Sequence, residues 1–218
     1  MVTLMHLSTI DILAAGATLL AVWMCGMPGF TSLLRTLAVQ TTILAVITAL
    51  LGLHWHAPHY LWLAGIVFLV KGIAIPVYLA HAANRLQIRR DDGTGLGTTL
   101  ALCSGCVVVV ASYFLAPEVA VLPLGNAGAA GMALALLLIG MLLMMTRRLA
   151  LSQVIGFLVL ENGIFLYGLT QTHGMPMMVE MGVVFDVLIG VLVAGIVIFR
   201  LNRSFEHIDV TQLRGLRH

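Results

Sequence analysis

The chain has 218 residues, of which 61% are hydrophobic and 9% charged, with a formal net charge of +2. A soluble domain carries about 25% charged residues, so this composition places the chain in the membrane class. A single Lys and the lack of any run of like charge argue against nucleic-acid binding and against a disordered charged tail.

The N-terminal stretch "MVTLMHLSTIDILAAG" has no positive n-region. It reads as a retained span and not as a cleaved signal peptide. Segments of about 20 apolar residues can cross a hydrocarbon core, and in lipid each must be helical to satisfy its own backbone. The first such segment covers residues 8–26 and carries Asp11 near its outer end, within snorkelling reach of water. The second covers 34–53. It is followed by "HWHAPH", whose His54, His56 and His59 have no acidic or Cys partner nearby, so no metal site is expected.

The third span, 61–83, contains "IVFLVKGIAIPVYLAHAANR", with Lys71 and Pro76 inside it. Pro76 removes a backbone hydrogen bond one turn past Lys71, which predicts a loosened or kinked helix on the cytoplasmic side. "GTGLG" (93–97) follows no strand and reads as a loop. The fourth span, 97–116, holds Cys103 and Cys106 in "CSGC", read as small packing residues; Cys25 lies in the first span. Glu118 is expected in an outer loop. The fifth span, 124–145, opens with "NAGAAGMALA", a small-residue stripe suited to close helix contact. The sixth, 149–170, contains Glu161 and Asn162. The seventh, 178–200, contains Asp186, with Glu180 near its outer end. The expected fold is all-α: a polytopic membrane protein of seven transmembrane helices.

Charge sets the expected orientation. Arg35, Arg85, Arg89, Arg90, Arg147, Arg148, Arg200, Arg203, Arg214 and Arg217 all fall in alternate connections or after the last span. The opposite side has none, so the N-terminus is expected outside and the C-terminus in the cytoplasm. Trp55, Tyr60, Trp62, Tyr113 and Tyr167 fall near outer ends and Trp23 near an inner end, as interfacial belts do.

Lys71 lies about 15 Å below the outer end of its span, Glu161 about 14 Å and Asp186 about 10–13 Å, at 1.5 Å of rise per residue. Each is unfavourable at that depth alone. A cation and two carboxylates facing the bundle interior offset one another's desolvation. Two readings follow: a static polar cluster that fixes helix register, or a set of groups that exchange protons or bind a cation.

Residues 147–168, "RRLALSQVIGFLVLENGIFLYG", resemble the second helix of the small K-type membrane subunit of respiratory complex I and its antiporter relatives. That helix opens with a basic pair, then has a Gly, a membrane Glu, and an Asn six residues after the Gly. Gly156 and Asn162 keep this spacing, whereas Glu161 sits about one turn later than the family's Glu. Asp186, Gly190 and "VLVAGIVIFR" resemble the next helix of that subunit. The whole chain is similar to the hydrogenase-4 component E family, membrane subunits of formate hydrogenlyase-type complexes related to complex I. It divides on this resemblance into a four-helix extension (1–123), a K-type three-helix unit (124–200) and a cytoplasmic tail (201–218).

The resemblance implies a multi-pass subunit of a bacterial or archaeal cytoplasmic membrane, without a cofactor and not catalytic on its own. Its partners would be antiporter-like membrane subunits, a quinone-subunit-like membrane anchor and cytoplasmic iron–sulfur and hydrogenase-like subunits. Lys71, Glu161 and Asp186 would join a proton-translocation path along the membrane arm. A cation/proton antiporter subunit and a purely structural scaffold are the competing readings. The tail, with Phe205, Ile208, Val210, Leu213 and Leu216 among basic residues, suits docking to a partner or to the membrane surface.

Overall fold

A computed structural model describes residues 2–86, 97–120 and 127–171, together with Gly182, Ile189, Val191, Val193 and Gly195. Helix α1 spans Val2–Gly26, α2 Phe30–His54 and α3 Pro58–Val67. A π-helical segment, Phe68–Ala74, leads directly into α4, Ile75–Arg85. Then come α5 (Thr98–Val119), α6 (Ala127–Thr146) and α7 (Ala150–Gln171). Among the described residues there is no strand, and six helices are long and apolar enough to cross a membrane, α3 to α4 counting as one. The predicted seventh span lies largely outside the described residues. The five residues described within it are helical, and Ile189 and Val193 belong to the core.

Local chemistry sets the boundaries. The α1–α2 connection contains Pro28 and ends on Gly29, whose extended backbone (φ −86°, ψ 122°) precedes the first turn of α2. The turn after α2 places His56 at φ 51°, in the left-handed region. Pro58 then occupies the start of α3, where its missing N–H would have had no helical partner. Helix α5 continues through Pro117 and Glu118 to Val119, so Glu118 is an exposed residue of its last turn and not a loop residue. A proline there removes only one late bond.

Helix α6 packs against α1, α5 and α7, while α2 packs against α1, α7 and the whole of the third span. Lipid tails are as apolar as Leu, so close backbone approach, more than exclusion of water, holds such a bundle together. The α6–α7 seam shows this. A Cβ on Gly140 would collide with the Leu160 backbone, and one on Gly163 would stand 2.5 Å from Leu137 N. In the small-residue stripe of α6, Ala129, Ala130, Ala133 and Ala135 are all buried. On the outer faces, Trp62, Leu69 and Val77 of the third span and Val107, Tyr113 and Phe114 of α5 are exposed. Cys103 and Cys106 lie on this exposed surface of α5, so of the three cysteines only Cys25 is buried as a packing residue.

Arg147 also departs from expectation. The sequence pattern treats it as one more cytoplasmic charge beside Arg148, yet its side chain is buried. Its guanidinium donates to Met24 O and Met27 O at 2.7 Å each and to Cys25 O at 3.4 Å. The last carbonyls of a helix have no intrahelical partner and carry the negative end of its dipole. Arg147 therefore caps α1 from the α6–α7 junction, 120 residues away in sequence.

Candidate functional site: a buried polar layer

The polar layer starts in the π-helical segment. Pro76 has no N–H to offer Gly72, and the backbone adjusts by widening the turn before it. Ile75 N–H reaches back to Val70 O, five residues earlier. Ala74 and Ile75 keep right-handed helical dihedrals, so the chain runs on into α4. The departure from α geometry thus precedes Pro76 and contains Lys71. Such π segments recur at functional sites. Lys71 is the buried residue of this segment.

Across the interior, Lys71 Nζ stands 2.7 Å from Glu161 Oε1 of α7, and both side chains are buried. Two of the three ionisable residues expected at one depth are therefore an ion pair. The third, Asp186, lies outside the described residues. Gly182, one turn before Asp186, approaches the same carboxylate: a Cβ built on it would lie 3.5 Å from Glu161 Oε1. A methyl group at Gly182 would therefore meet the carboxylate in ordinary van der Waals contact.

Asn162, the next residue of α7, is also buried but points elsewhere. Its amide donates to Gln40 Oε1 at 3.2 Å and to Thr41 Oγ1 at 3.3 Å, both on α2. Gln40 in turn donates from Nε2 to Ala17 O of α1 at 3.0 Å. Successive helical residues are about 100° apart, and the α6-facing stripe of α7 runs through Gly156, Leu160 and Gly163. Glu161 and Asn162 consequently emerge on opposite flanks of that stripe. One flank meets Lys71, the other meets α2.

A buried ion pair persists only when geometry and surrounding hydrogen bonds offset the desolvation of both charges. Removing one partner from such a pair typically costs about 3–5 kcal/mol. The arrangement can do two things chemically. It can hold four spans in register, and it can exchange a proton for an ammonium at Glu161, since either offsets the carboxylate charge.

Gln40 and Thr41 stand outside the trio of Lys71, Glu161 and Asp186 because they carry no charge to mark them by depth. The signal was there: "LAVQTTILAV" sets an amide and two hydroxyls in mid-span, where an unsatisfied polar group is costly. Asp11 remains partly buried on α1. His54, His56 and His59 lie at the α2–α3 turn, where the His59 and Tyr60 rings are 4.5 Å apart and Trp55 packs edge-on to Tyr60. Among the described residues no three metal-ligating side chains are grouped. Glu180 and the tail (201–218) lie outside the described residues.

The chain is 31% identical over 210 residues to the Mycobacterium tuberculosis protein Rv0085, which bears the description uncharacterized; the match covers 95% of this chain and 96% of that one. It is 25% identical over 181 residues to hydrogenase-4 component E of Escherichia coli K12, covering 83% of this chain and 84% of that protein. The component E of Shigella flexneri matches to the same extent. No family model matches the chain, and no solved structure matches it.

Proposed function

The chain belongs to the family of the mycobacterial protein Rv0085, and from that premise we propose that it is a membrane subunit of a complex I-like oxidoreductase of the hydrogenase-4 type. The similarity to hydrogenase-4 component E supports membership of a multi-subunit membrane complex, and six apolar helices support a multi-pass membrane protein. In this reading the chain is not catalytic by itself. Residues 124–200 act as the K-like unit, the N-terminus faces outside, and the tail meets cytoplasmic iron–sulfur and hydrogenase-like subunits. Antiporter-like subunits and a quinone-subunit-like anchor flank it in the cytoplasmic membrane.

Proton movement would run through Glu161, Lys71 and Asp186. Two carboxylates and one ammonium can place the cation against one carboxylate and a proton on the other. A proton arriving at Glu161 removes its charge and releases the Lys71 ammonium, whose long stem lets it turn to a second carboxylate. A proton leaving Glu161 draws the ammonium back. The observation that carries this reading is the buried 2.7 Å contact between Lys71 and Glu161.

The test is Glu161→Gln in the assembled complex, reconstituted into vesicles with a pH-sensitive dye inside. Intact assembly with proton transfer reduced at least about tenfold is expected, in line with the 10²–10⁴-fold range for removing a positioned proton-transfer group. Unchanged transfer refutes the relay. Sodium-dependent transport lost in the same variant would instead favour the antiporter reading. The bonds from Asn162 to α2 favour a second reading, in which the layer is a structural tie. There Glu161→Gln would prevent assembly, and Lys71→Met with Glu161→Leu together would restore it.

A further inference from the structure

We propose that Gln40 and Asn162 are positioning residues that set the rotation of α7 and thereby hold Glu161 against Lys71; this rests on the reading of Glu161 as the proton-exchanging group. The argument begins with what the α6–α7 seam leaves unset. Glycine at 140, 156 and 163 brings the two backbones into direct contact. Such a contact fixes the separation of the helices, and its apolar packing carries no directional bond to set the rotation of α7. Rotation must be set on the far side of α7. Among the described residues, Asn162 supplies directional bonds there beside the Glu161 ion pair, donating to Gln40 Oε1 and Thr41 Oγ1.

The anchor is itself anchored. Gln40 is fully buried, and its own amide is bonded to Ala17 O of α1 at 3.0 Å. Gln40 therefore cannot swing with α7, because doing so would strand its Nε2 in the apolar interior. Asn162 thus joins α7 to α2, and Gln40 carries that join on to α1. Because Glu161 is the neighbouring residue, any roll that breaks the Asn162 contact moves the carboxylate along the same arc. A roll of about 20° displaces a carboxylate some 6 Å from the helix axis by about 2 Å, enough to open a 2.7 Å ion pair to water-separated distance.

The experiment uses the full-length chain in lipid vesicles, with ¹⁵N-Lys and ¹³C-Glu labels. As the chain has one Lys, the ¹⁵Nζ–¹³Cδ dipolar coupling reads the Lys71–Glu161 distance directly. It is assigned by its loss in Glu161→Gln. The key variant is the double substitution Gln40→Met with Asn162→Leu, which removes both amides while keeping their volumes, a change that can be nearly neutral for folding. The coupling, which follows the inverse cube of distance, is expected to fall about fourfold for the 2 Å displacement estimated from helix geometry. Asn162→Leu alone, which leaves the bond from Gln40 to Ala17 O in place, is expected to lower it as far.

An unchanged coupling in the folded double variant overturns the proposal. If the double variant does not fold, Asn162→Leu alone decides: an unchanged coupling in that folded variant also overturns it. The two readings fail separately. A reduced coupling with undiminished proton transfer in the assembled complex leaves the positioning role standing and removes the relay. A reduced coupling with reduced transfer supports both.

Discussion

Replacing Arg147 by Leu should destabilise the chain far beyond what a surface charge would. Two of its hydrogen bonds, to Met24 O and Met27 O, are 2.7 Å long, and a third reaches Cys25 O at 3.4 Å. Hydrogen bonds to a charged group contribute about 1.5–3 kcal/mol each, and a cation at a partly buried helix C-terminus adds up to about 2 kcal/mol. Shared partners make these terms overlap, so a loss of about 3–5 kcal/mol is expected, comparable to stranding one side of a buried charged contact. Arg147→Lys should recover about half, since an ammonium lacks the planar fork that reaches two carbonyls at once. Arg148→Leu is the control: that side chain is exposed, and a change within about 0.5 kcal/mol is expected. Unfolding in mixed detergent micelles, followed by tryptophan fluorescence, measures all three, and Trp23 sits beside the capped carbonyls. If Arg147→Leu stays within about 1 kcal/mol of the parent, or if Arg148→Leu matches its loss, the cap is not what holds α1 to the α6–α7 junction.

The Lys71–Glu161 pair is expected to behave as a unit: Lys71→Met and Glu161→Leu alone should each lower stability by about 3–5 kcal/mol, while the double variant stays within about 1 kcal/mol of the parent. Additive losses in the same micelle assay would show that the two side chains do not act on one another. Gly163→Ala places a Cβ 2.5 Å from Leu137 N, so the α6–α7 seam must separate, with a loss of about 1–3 kcal/mol; a neutral result would mean the helices can slide past the methyl group. Tyr167→Phe removes the 2.7 Å bond from its hydroxyl to Val119 O and should cost about 0.5–1.5 kcal/mol, with faster amide exchange at the end of α5 as the local signature.

Hydropathy and span length made the six described helices legible, because in lipid every spanning backbone must close its own bonds, although α1 begins at Val2, six residues before the expected start. Depth counting likewise brought Lys71 and Glu161 to one level. The contact itself was not legible, since rise along an axis says nothing of which way a side chain faces. The uncharged polar residues of α2 escape such counting for a different reason. Gln40 and Thr41 carry no charge, yet in the bundle they share one hydrogen-bonded layer with Asn162. Arg147 was misjudged because the pattern of basic residues on alternate sides does not distinguish a charge in water from one folded back onto a helix end. Pro76 pointed to an irregular helix, but its effect falls on the preceding turn, which the residue alone did not indicate.

The widened turn at Phe68–Ala74 has a consequence for how this chain can vary. A π-helical segment carries one residue more than its rise requires. The third span can therefore give up a residue there and close into ordinary α-helix while the loops at both ends keep their lengths. Residues on either side of the deletion would keep their relative orientation, since the widened turn already absorbs the extra residue, and only the segment containing Lys71 would be rebuilt. Alignments of related chains should accordingly tolerate a one-residue gap in the middle of this span, where gaps are otherwise least expected. Chains that have it should lack the lysine, the glutamate or both.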